Sequence, residues 1–463
     1  MSQHIPAMSN ATASDETHAQ DITATTPAQK RALSYSTTIE TLFNRVMSTK
    51  MPADRIIGQY FREHKKHGSK DRRVIRESLF GLFRWWGWLS QLTSGQPHTW
   101  FQQLSLCAML EQHQWSEIIA AWNDFADWPQ ARADQIQLDS QTSIADALED
   151  KLAAFNTLSS NNAQITQLLP DWFWQHCPIV DAEKYAIVDA MNSRPPIWAR
   201  AQTLATTQLI ESLSQAGVKA NPSPYFSDAI NLGHKSINLN EINAYKQGHI
   251  EIQDLASQVI GHICQPSNHE HWWDACSGAG GKTLQLYSLM SQQSSAFTGS
   301  ITASDIRHKP LEELRKRAKR ANFEHISVAP WKGDVLPVDA HAFDGVLVDA
   351  PCSCTGTWRR NPDMRWLNDA SAITDKPSLQ LAILRRSAAA VKAGGKLVYA
   401  TCSLSPSENE QVVKAFLAAT SEFTLEPVTH PFTGQQHDML TIWPQQANSD
   451  GMFVAKMRRK SPD

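Results

Sequence analysis

The sequence has 463 residues, enough for about three domains of ordinary size, and its 43 basic and 46 acidic side chains give a net charge of −3. No apolar stretch approaches the ~18 residues of a membrane span, and the N-terminus lacks a charged-then-apolar signal segment. Seven cysteines are scattered without a paired framework, and Cys352 and Cys354 lack a second pair at zinc-ligand spacing, so we expect a cytoplasmic protein with reduced thiols, no metal and no membrane partner.

The first 185 residues are predicted to contain a tail and a helical domain. Residues 1–35 are rich in Ser, Thr, Ala and Gln and have almost no large apolar side chains, so we expect them to be disordered. Residues 36–185 show helical periodicity and no strand pattern. The clearest helix starts at Ser69, a suitable N-cap. Its core-facing stripe follows at helical spacing: Ile75, Leu79, Leu82, Trp86 and Leu89.

Aromatic and basic residues near this helix admit two interpretations. Trp85, Trp86 and Trp88 have the character of RNA-stacking platforms, but tryptophans at helical spacing are more often core residues, and we favour the core. The segment Arg62–Arg76 has seven basic against two acidic residues, and Asp305–Arg320 has seven against three. Such charge runs are more often solvated helix faces than nucleic-acid sites, and the near-neutral total also argues against a nucleic-acid partner.

A new segment is predicted to begin between residues 186 and 192. Pro195 and Pro196 cannot lie inside a helix, so a boundary is expected just before them. Short apolar stretches then alternate with turns, which indicates a small α/β subdomain over residues 186–250.

From residue 270 onwards the pattern becomes βαβα, which is typical of a parallel sheet. The strand that ends at Cys276 leads into a glycine-rich turn, Ser277–Thr283. A Walker-type phosphate loop requires glycine where Cys276 stands, and the dinucleotide pattern requires a two-residue gap that Gly278–Gly281 lacks. The remaining interpretation is that the backbone of this turn closely approaches an adenosine-containing ligand. Asp305 would then bind the ribose hydroxyls, and Asp334 would bind the edge of the base. This combination suits S-adenosylmethionine.

Two predicted strands each end in a turn that carries a cysteine. The apolar run 345–348 reads as a buried parallel strand that ends in Asp349, and Cys352 follows in the turn. Residues 395–400 read as a second strand, and Cys402 follows two residues later. Because ligands of open parallel sheets bind beyond the carboxyl ends of the strands, both thiols are expected at one edge of the sheet, where chemistry takes place.

The helix that precedes the second strand is predicted over residues 379–392. Its apolar residues recur at helical spacing, and Gly394 and Gly395 are expected to close it in the left-handed conformation that glycine allows.

Six blocks of the sequence match a known family: DACSGAGGKT (274–283), SDIR (304–307), GDV (333–335), VDAPCSCTGTWRRNPD (348–363), GGKLVYATCSLSPSENE (394–410) and DGMFVAKMRR (450–459). On these blocks, the region from about residue 169 to 463 resembles the Sun/Fmu-type (RsmB-like) RNA cytosine-5 methyltransferases. SKDRRVIRESLFGLFRW, at residues 69–85, resembles the NusB-like N-terminal domain of the bacterial members.

The resemblance implies an α/β fold. Residues 251–463 would form a Rossmann-like methyltransferase core, 36–185 an all-α NusB-like RNA-binding domain, and 186–250 the small α/β subdomain that contacts RNA. It further implies S-adenosylmethionine as cofactor and RNA, above all ribosomal RNA, as partner. We also expect a monomer. The candidate cofactor-binding residues are Cys276, Ser277, Gly278, Ala279, Gly280, Gly281, Lys282, Asp305, Arg307, Asp334 and Asp349.

The resemblance also assigns chemical roles. Cys402 is the expected nucleophile, which adds to carbon 6 of cytosine, and Cys352 assists release of the product. Asp349 is expected to bind the Watson–Crick edge of the base, and Lys282 to supply positive charge that favours a thiolate. Cys354 departs from the family pattern, because glycine is usual at this position, and Ser277-Gly278-Ala279 replaces the commoner Ala-Ala-Pro.

The sequence is compatible with alternatives at three points. Arg359 and Arg360 are expected to contact phosphate, with a structural salt bridge as the alternative. A DNA cytosine-5 methyltransferase is the nearest rival enzyme, but such enzymes use the Pro-Cys thiol as nucleophile and have no Thr-Cys block, so Cys402 argues against it. An RNA-binding ribosome-assembly factor that keeps the fold without turnover is the rival from another class.

Overall fold

Helices are the only regular secondary structure in the described residues of the first part of the chain. The computed structural model describes residues 23–92, 98–141, 147–293 and 297–461, and two compact units divide between Gln164 and Ile165. The helices of the first unit are α1 (Pro27–Thr49), α2 (Ala53–Glu63), α3 (Ser69–Leu89), α4 (Thr99–Leu110), α5 (Ser116–Phe125), α6 (Gln130–Gln141) and α7 (Leu148–Ser159). Over the described ranges, no helix is both long and apolar enough to cross a membrane.

Helix α1 begins earlier than the sequence analysis expected. The Thr26 hydroxyl accepts a hydrogen bond from the Gln29 N–H at 3.1 Å, and the Gln29 side chain accepts one from the Thr26 N–H at 3.2 Å. This reciprocal cap, with Pro27 at the first helical position, starts the helix without help from large apolar residues. The prediction of disorder is therefore wrong for residues 27–35, whereas residues 1–22 of the predicted tail lie outside the described residues.

Helix α3 has the predicted core-facing stripe but a different cap. Gly68, not Ser69, is the N-cap residue. Trp85 and Trp88 are fully buried, which confirms the core interpretation for these two rings, while Trp86 is only partly buried.

A small antiparallel sheet opens the second unit. The helices of this region are α8 (Asp171–His176), α9 (Asp181–Asn192), α10 (Thr206–Gln215) and α11 (Asn243–Lys246), and its strands are β1 (Trp198–Ala201), β2 (Asn221–Pro222), β3 (Ala229–Asn231) and β4 (Ile250–Ile252). The strand order is β2-β3-β1-β4. Leu209 and Leu213 of α10 pack against Ala199 and Ile230 of this sheet.

Residues 165–185 group with the second unit, although the sequence analysis placed them in the helical domain. One reason is the fully buried Arg365 guanidinium, which donates hydrogen bonds to the Leu168 carbonyl at 3.2 Å and to the Asn192 side chain at 2.9 Å. The guanidinium thus joins the segment around α8 and α9 to the short helix Met364–Leu367, which follows the Pro-Cys turn. A buried charge without these acceptors would be strongly destabilising.

The rest of the second unit is built around a large, mainly parallel sheet. Its helices are α12 (Leu255–Cys264), α13 (Gly281–Ser291), α14 (His308–Arg320), α15 (Met364–Leu367), α16 (Ser371–Thr374), α17 (Pro377–Ala388) and α18 (Glu410–Ala419). Its strands are β5 (His271–Asp274), β6 (Ser300–Ala303), β7 (Ile326–Val328), β8 (Phe343–Asp349), β9 (Val391–Thr401), β10 (Phe423–Leu425), β11 (Val428–Thr429), β12 (Gln436–His437), β13 (Leu440–Ile442) and β14 (Met452–Arg459). The strand order of the large sheet is β10-β14-β9-β8-β5-β6-β7, with β13 paired to β14. Strands β11 and β12 pair with each other in a separate two-stranded sheet.

Successive side chains of the central strands enter two separate cores, one on each face of the sheet. Trp272 and Leu347 pack with α12 and α13, whereas Trp273 and Val346 pack with α17 and α18. Strands buried on both faces explain why β8 reads as a continuous apolar run. The observed α/β core, with helices on both faces, confirms the predicted fold class.

The order of the parallel strands creates a crevice between β5 and β8. From β5 the chain proceeds to β6 and β7 on one side and then returns to β8 and β9 on the other. At such a switch point the connections beyond the strand ends diverge, and ligands of open α/β sheets bind there. The glycine-rich turn follows β5, and the Pro-Cys turn follows β8.

Gly394 lies within strand β9 and not at the end of a helix. Helix α17 ends at Ala388, and β9 already begins at Val391, so the prediction that Gly394 closes the helix is wrong. Gly394 has φ 72° where the pairing of β9 with β8 shifts register. A positive φ suits a bulge as well as a helix end, so the residue type alone did not distinguish the two.

We predict that Gly345→Ala destabilises the second unit by roughly 1–3 kcal/mol, because overpacking a filled core forces its neighbours to shift. A Cβ at this position would lie 2.3 Å from the Trp272 ring. Chemical denaturation would measure the loss, with Gly281→Ala as the control, since a Cβ there meets nothing within 4 Å. Equal stability of the two variants would contradict the tight packing between β8 and β5.

Candidate active site

Two thiols meet where β8 and β9 end. The parallel pairing places Asp349 opposite Ala400, and each chain then turns out of the sheet. The Sγ atoms of Cys352 and Cys402 lie 3.3 Å apart, within hydrogen-bonding distance for sulfur. The sequence analysis predicted this meeting from the strand ends alone, and the structure brings the two residues together.

A third thiol joins this pair. The Cys354 Sγ donates to the Cys352 carbonyl at 3.5 Å, and the Sγ atoms of Cys352, Cys354 and Cys402 all lie within 4.8 Å of one another. All three side chains are partly exposed. We call these three residues the thiol cluster.

The buried Glu408 carboxylate holds the two cysteine turns together. It accepts a hydrogen bond from the Ser353 N–H at 2.9 Å and others from the hydroxyls of Ser353 and Ser403. Gln380 of α17 donates to the same carboxylate at 3.0 Å. Burial raises the pKa of Glu408, and the hydroxyl hydrogen bonds from Ser353 and Ser403 oppose that rise. Sequence reasoning missed Glu408, although a serine after each cysteine was a signal of a shared partner.

Lys282 and Asp349 form an ion pair across the crevice, with 2.7 Å between Nζ and Oδ2. Burial alone would lower the pKa of Lys282, but the charge and hydrogen bond of Asp349 outweigh it and the pKa is raised. Burial raises the pKa of Asp349, and the Lys282 charge opposes that rise. Both residues therefore lie at the predicted edge of the sheet, and the main partner of the Lys282 charge is the Asp349 carboxylate.

The pKa of the candidate nucleophile, Cys402, is raised in the free protein. A hydrogen bond from Cys352 lowers the pKa of Cys402, but the neighbouring Cys354 and burial outweigh it and raise the pKa to about 12. The nearby charge of Arg360 is a further lowering influence. The charge of Cys402 is among the influences that raise the pKa of Lys282, so the lysine would attract a Cys402 thiolate, and its activating role stays a prediction.

The glycine-rich turn is closely packed against the protein on one side. Gly278 and Gly280 have φ of 54° and 85°, and a Cβ on Gly280 would lie 2.5 Å from Leu314 of α14. Residues 276–279 are partly exposed along the crevice. The backbone is thus open to a ligand on one side and packed on α14 on the other.

Asp305 lies at this turn, and both oxygens of its carboxylate accept hydrogen bonds from the protein. Its carboxylate accepts the Gly278 N–H at 3.0 Å and the Arg307 guanidinium at 3.0 Å through both Nε and Nη2. Burial would raise the pKa of Asp305, but the hydrogen bonds from Arg307 outweigh it and the pKa is lowered. The Arg307 side chain is 65% exposed, so it has room to release Asp305 to a ligand.

Asp334 is exposed and has a partner outside the glycine-rich turn. Its side chain is 85% exposed and pairs with Arg386 at 2.6 Å. The apolar residues that directly follow the two acids are unusually exposed, Ile306 by 74% and Val335 by 79%. Sequence reasoning missed both, although an apolar residue after a strand-end acid was available as a signal.

Arg359 and Arg360 have structural partners. The buried Arg359 donates to the Ser193 hydroxyl at 2.8 Å, and Arg360 pairs with the buried Asp450 at 2.8 Å. The alternative of a structural salt bridge therefore holds for Arg360, and a hydrogen-bonded structural role holds for Arg359.

Known families match both parts of the second unit. The profile described as 16S rRNA methyltransferase RsmB/F matches residues 262–458, and that of the RsmF/B-like ferredoxin-like domain matches residues 169–238. Proteins named ribosomal RNA small subunit methyltransferase B, from Yersinia pseudotuberculosis and Yersinia pestis, are 33% identical to this chain over 289 residues. The alignment covers 60% of this chain and 63% of each relative's length, so it spans less than two thirds of those proteins.

Solved structures share the fold. The protein PH0851 has a TM-score of 0.70 at 22% identity, over 94% of this chain and 100% of that one. NSun6 from Pyrococcus horikoshii, solved with SFG, has a TM-score of 0.55 at 19% identity, over 63% of this chain and 97% of that one. The two family matches together span more than half of the sequence and confirm the resemblance drawn from its motifs. Residues 169–238 and 262–458 of the chain therefore belong to the RsmB/F family of methyltransferases.

Proposed function

We propose that this protein transfers a methyl group from S-adenosylmethionine to carbon 5 of a cytosine in RNA, through a covalent bond between Cys402 and the base. The observation that carries the proposal is the pair of thiols 3.3 Å apart beyond the ends of β8 and β9. One thiol serves for attack and the other for release, and a binding protein without turnover needs neither at this spacing.

The proposed first step is attack of Cys402 on carbon 6 of cytosine. Carbon 5 of cytosine is a poor nucleophile, but addition of sulfur to carbon 6 moves the double-bond electrons to carbon 5. Only the thiolate adds efficiently, and the pKa of Cys402 is raised to about 12 in the free protein. We therefore propose that substrate binding completes the activation.

Asp349 is the proposed partner of the cytosine ring. A carboxyl group can share a proton with the ring nitrogen as sulfur adds to carbon 6, and burial already raises the pKa of Asp349. Lys282, at 2.7 Å, keeps this carboxylate oriented towards the crevice.

Cys352 is the proposed assistant in product release. After methylation, the proton on carbon 5 must leave before the bond between sulfur and carbon 6 can break. Because the Cys352 Sγ lies next to the Cys402 Sγ, the Cys352 sulfur, as a thiolate, is the proposed acceptor of that proton, and the Cys402 sulfur leaves with the electrons of its bond to carbon 6.

The cofactor is proposed to bind along the glycine-rich turn. S-adenosylmethionine, when bound, supplies a methyl group on a positively charged sulfur. The partly exposed backbone of residues 276–279 and the strongly exposed Ile306 and Val335 fit an adenosine group with a flat apolar base. Residues 276–282 with Arg307, Asp334 and Asp349 complete the proposed set, and Asp305 would bind the ribose once Arg307 releases it.

Ribosomal RNA is the proposed substrate, because the curated relatives are named as ribosomal RNA methyltransferases. The proposed state is a cytoplasmic monomer whose first unit and small antiparallel sheet contact the RNA. Methyl transfer to an RNA oligonucleotide, but not to a DNA of the same sequence, would separate this function from the DNA-enzyme alternative. Binding without transfer would favour the assembly-factor alternative.

We predict that Asp305→Ala weakens S-adenosylmethionine binding by roughly 1–3 kcal/mol, because polar partners of the carboxylate are left unpaired. Isothermal calorimetry would measure the affinity. Asp339→Ala is the matched control, since that carboxylate is exposed on the segment between β7 and β8. Unchanged affinity of the Asp305 variant would place the cofactor elsewhere.

The two cysteine-to-alanine variants are predicted to block different steps of the reaction. Cys402→Ala removes the attacking sulfur, so neither methylated RNA nor a covalent adduct should form. Cys352→Ala leaves attack possible but slows elimination, so a protein–RNA adduct should accumulate. Denaturing gels after incubation with RNA and cofactor would show the adduct as a shifted band.

The reverse pattern, with an adduct for Cys402→Ala and none for Cys352→Ala, would mean that Cys352 is the nucleophile. That is the arrangement of the DNA cytosine-5 methyltransferases, in which the Pro-Cys thiol attacks the base. Persistent methylation by both variants would show that the chemistry avoids these thiols. A DNA oligonucleotide of the same sequence is the substrate control in each lane.

A further inference from the structure

The thiol cluster contains one more cysteine than the proposed methyl transfer uses. Cys354 has φ 60°, in the left-handed region. A residue with a Cβ adopts this conformation only at a local steric cost, whereas glycine adopts it freely. A side chain kept in an unfavourable backbone conformation is reason to ask what its thiol does.

The separations of the three sulfurs suit a shared metal ion. A tetrahedral zinc ion with Zn–S bonds of ~2.3 Å holds its sulfur ligands about 3.8 Å apart. The three Sγ atoms already lie within 4.8 Å of one another, and two of them are 3.3 Å apart. Shifts of less than an ångström would bring the pair to that spacing, whereas a disulfide requires a separation of ~2.05 Å and a larger approach.

The surrounding turns hold the cysteines in place. Glu408 binds the residue after Cys352, through the Ser353 N–H at 2.9 Å. The Gly356 N–H donates to the Cys402 carbonyl at 2.9 Å, which joins the segment after Cys354 to the second turn. The cluster is thus largely preformed, and its partial exposure gives an ion access from the crevice.

We infer that the thiol cluster binds one soft divalent cation of the zinc class, with Cys352, Cys354 and Cys402 as ligands and water in the fourth position. Each thiol loses its proton to solvent as its sulfur binds the ion. The linear sequence predicted no metal because Cys352 and Cys354 lack a second pair, and the fold supplies Cys402 as the third ligand.

A bound ion would also withdraw both thiols of the proposed reaction. This consequence rests on the proposed function, and it makes ion binding and formation of the RNA adduct mutually exclusive. The ion would therefore act as a reversible inhibitor and not as a cofactor.

The test is titration of the full chain with Zn²⁺ alone, and with Cd²⁺ as a spectroscopic probe, under a non-thiol reductant. Calorimetry should give one ion per chain, and Cd²⁺ should produce the ultraviolet charge-transfer band of cadmium thiolates. Cys354→Gly, which suits the left-handed backbone, should weaken binding by about 100-fold through loss of one ligand. Cys276→Ser is the matched control, since it removes a partly exposed thiol outside the cluster and should leave the affinity unchanged.

Wild-type affinity in Cys354→Gly, or an equal loss in Cys276→Ser, would overturn the site. Because the titration uses neither RNA nor S-adenosylmethionine, its result does not depend on methyl transfer. In a second arm, the RNA carries 5-fluorocytosine at the target position, which traps the adduct of the wild-type protein; Zn²⁺ should suppress this adduct, and a chelator should restore it. Adduct formation at a saturating ion concentration would overturn the mutual exclusion.

Discussion

The buried Glu408 carboxylate is the contact on which the site depends. Parallel pairing of β8 and β9 brings two strand ends to one edge, but each strand is followed by an irregular turn that pairing does not fix. Glu408 accepts hydrogen bonds from the first residue after each cysteine, Ser353 and Ser403. Removal of this acceptor would leave buried donors unsatisfied, at a cost of about 1–3 kcal/mol each. The sulfur separation is therefore maintained by a carboxylate that takes no part in the chemistry.

The sequence predicted those features that follow from local pattern and sheet topology. Apolar runs with a cysteine just past the end were sufficient to place Cys352 and Cys402 together, because carboxyl ends of parallel strands share an edge. Glu408 escaped prediction since its contact with Ser353 joins residues 55 positions apart. Gly394 was misassigned because a helix end and a strand bulge both require a positive φ. The helix over residues 27–35 was missed because its cap, rather than apolar content, starts it.

In the free protein, the charged groups of the site are paired with one another. Lys282 is paired with Asp349, and Arg307 occupies both oxygens of Asp305. Each predicted ligand-binding carboxylate thus has an internal cation as partner, which offsets the free-energy cost of holding a charge in the crevice. The site residues were identifiable from their types, but their partners were not, because ion pairs are set by tertiary packing. Substrate and cofactor would exchange these internal partners for their own polar groups.

The central claim is that Cys402 forms the bond to the base, and an RNA whose target cytosine carries fluorine at carbon 5 tests it most directly. Fluorine cannot leave as a proton does, so the covalent adduct is trapped after methyl transfer. Proteolysis and mass spectrometry then identify the peptide that carries the nucleotide. The account predicts linkage to Cys402 in the wild-type chain, and linkage to Cys352 or Cys354 would contradict it.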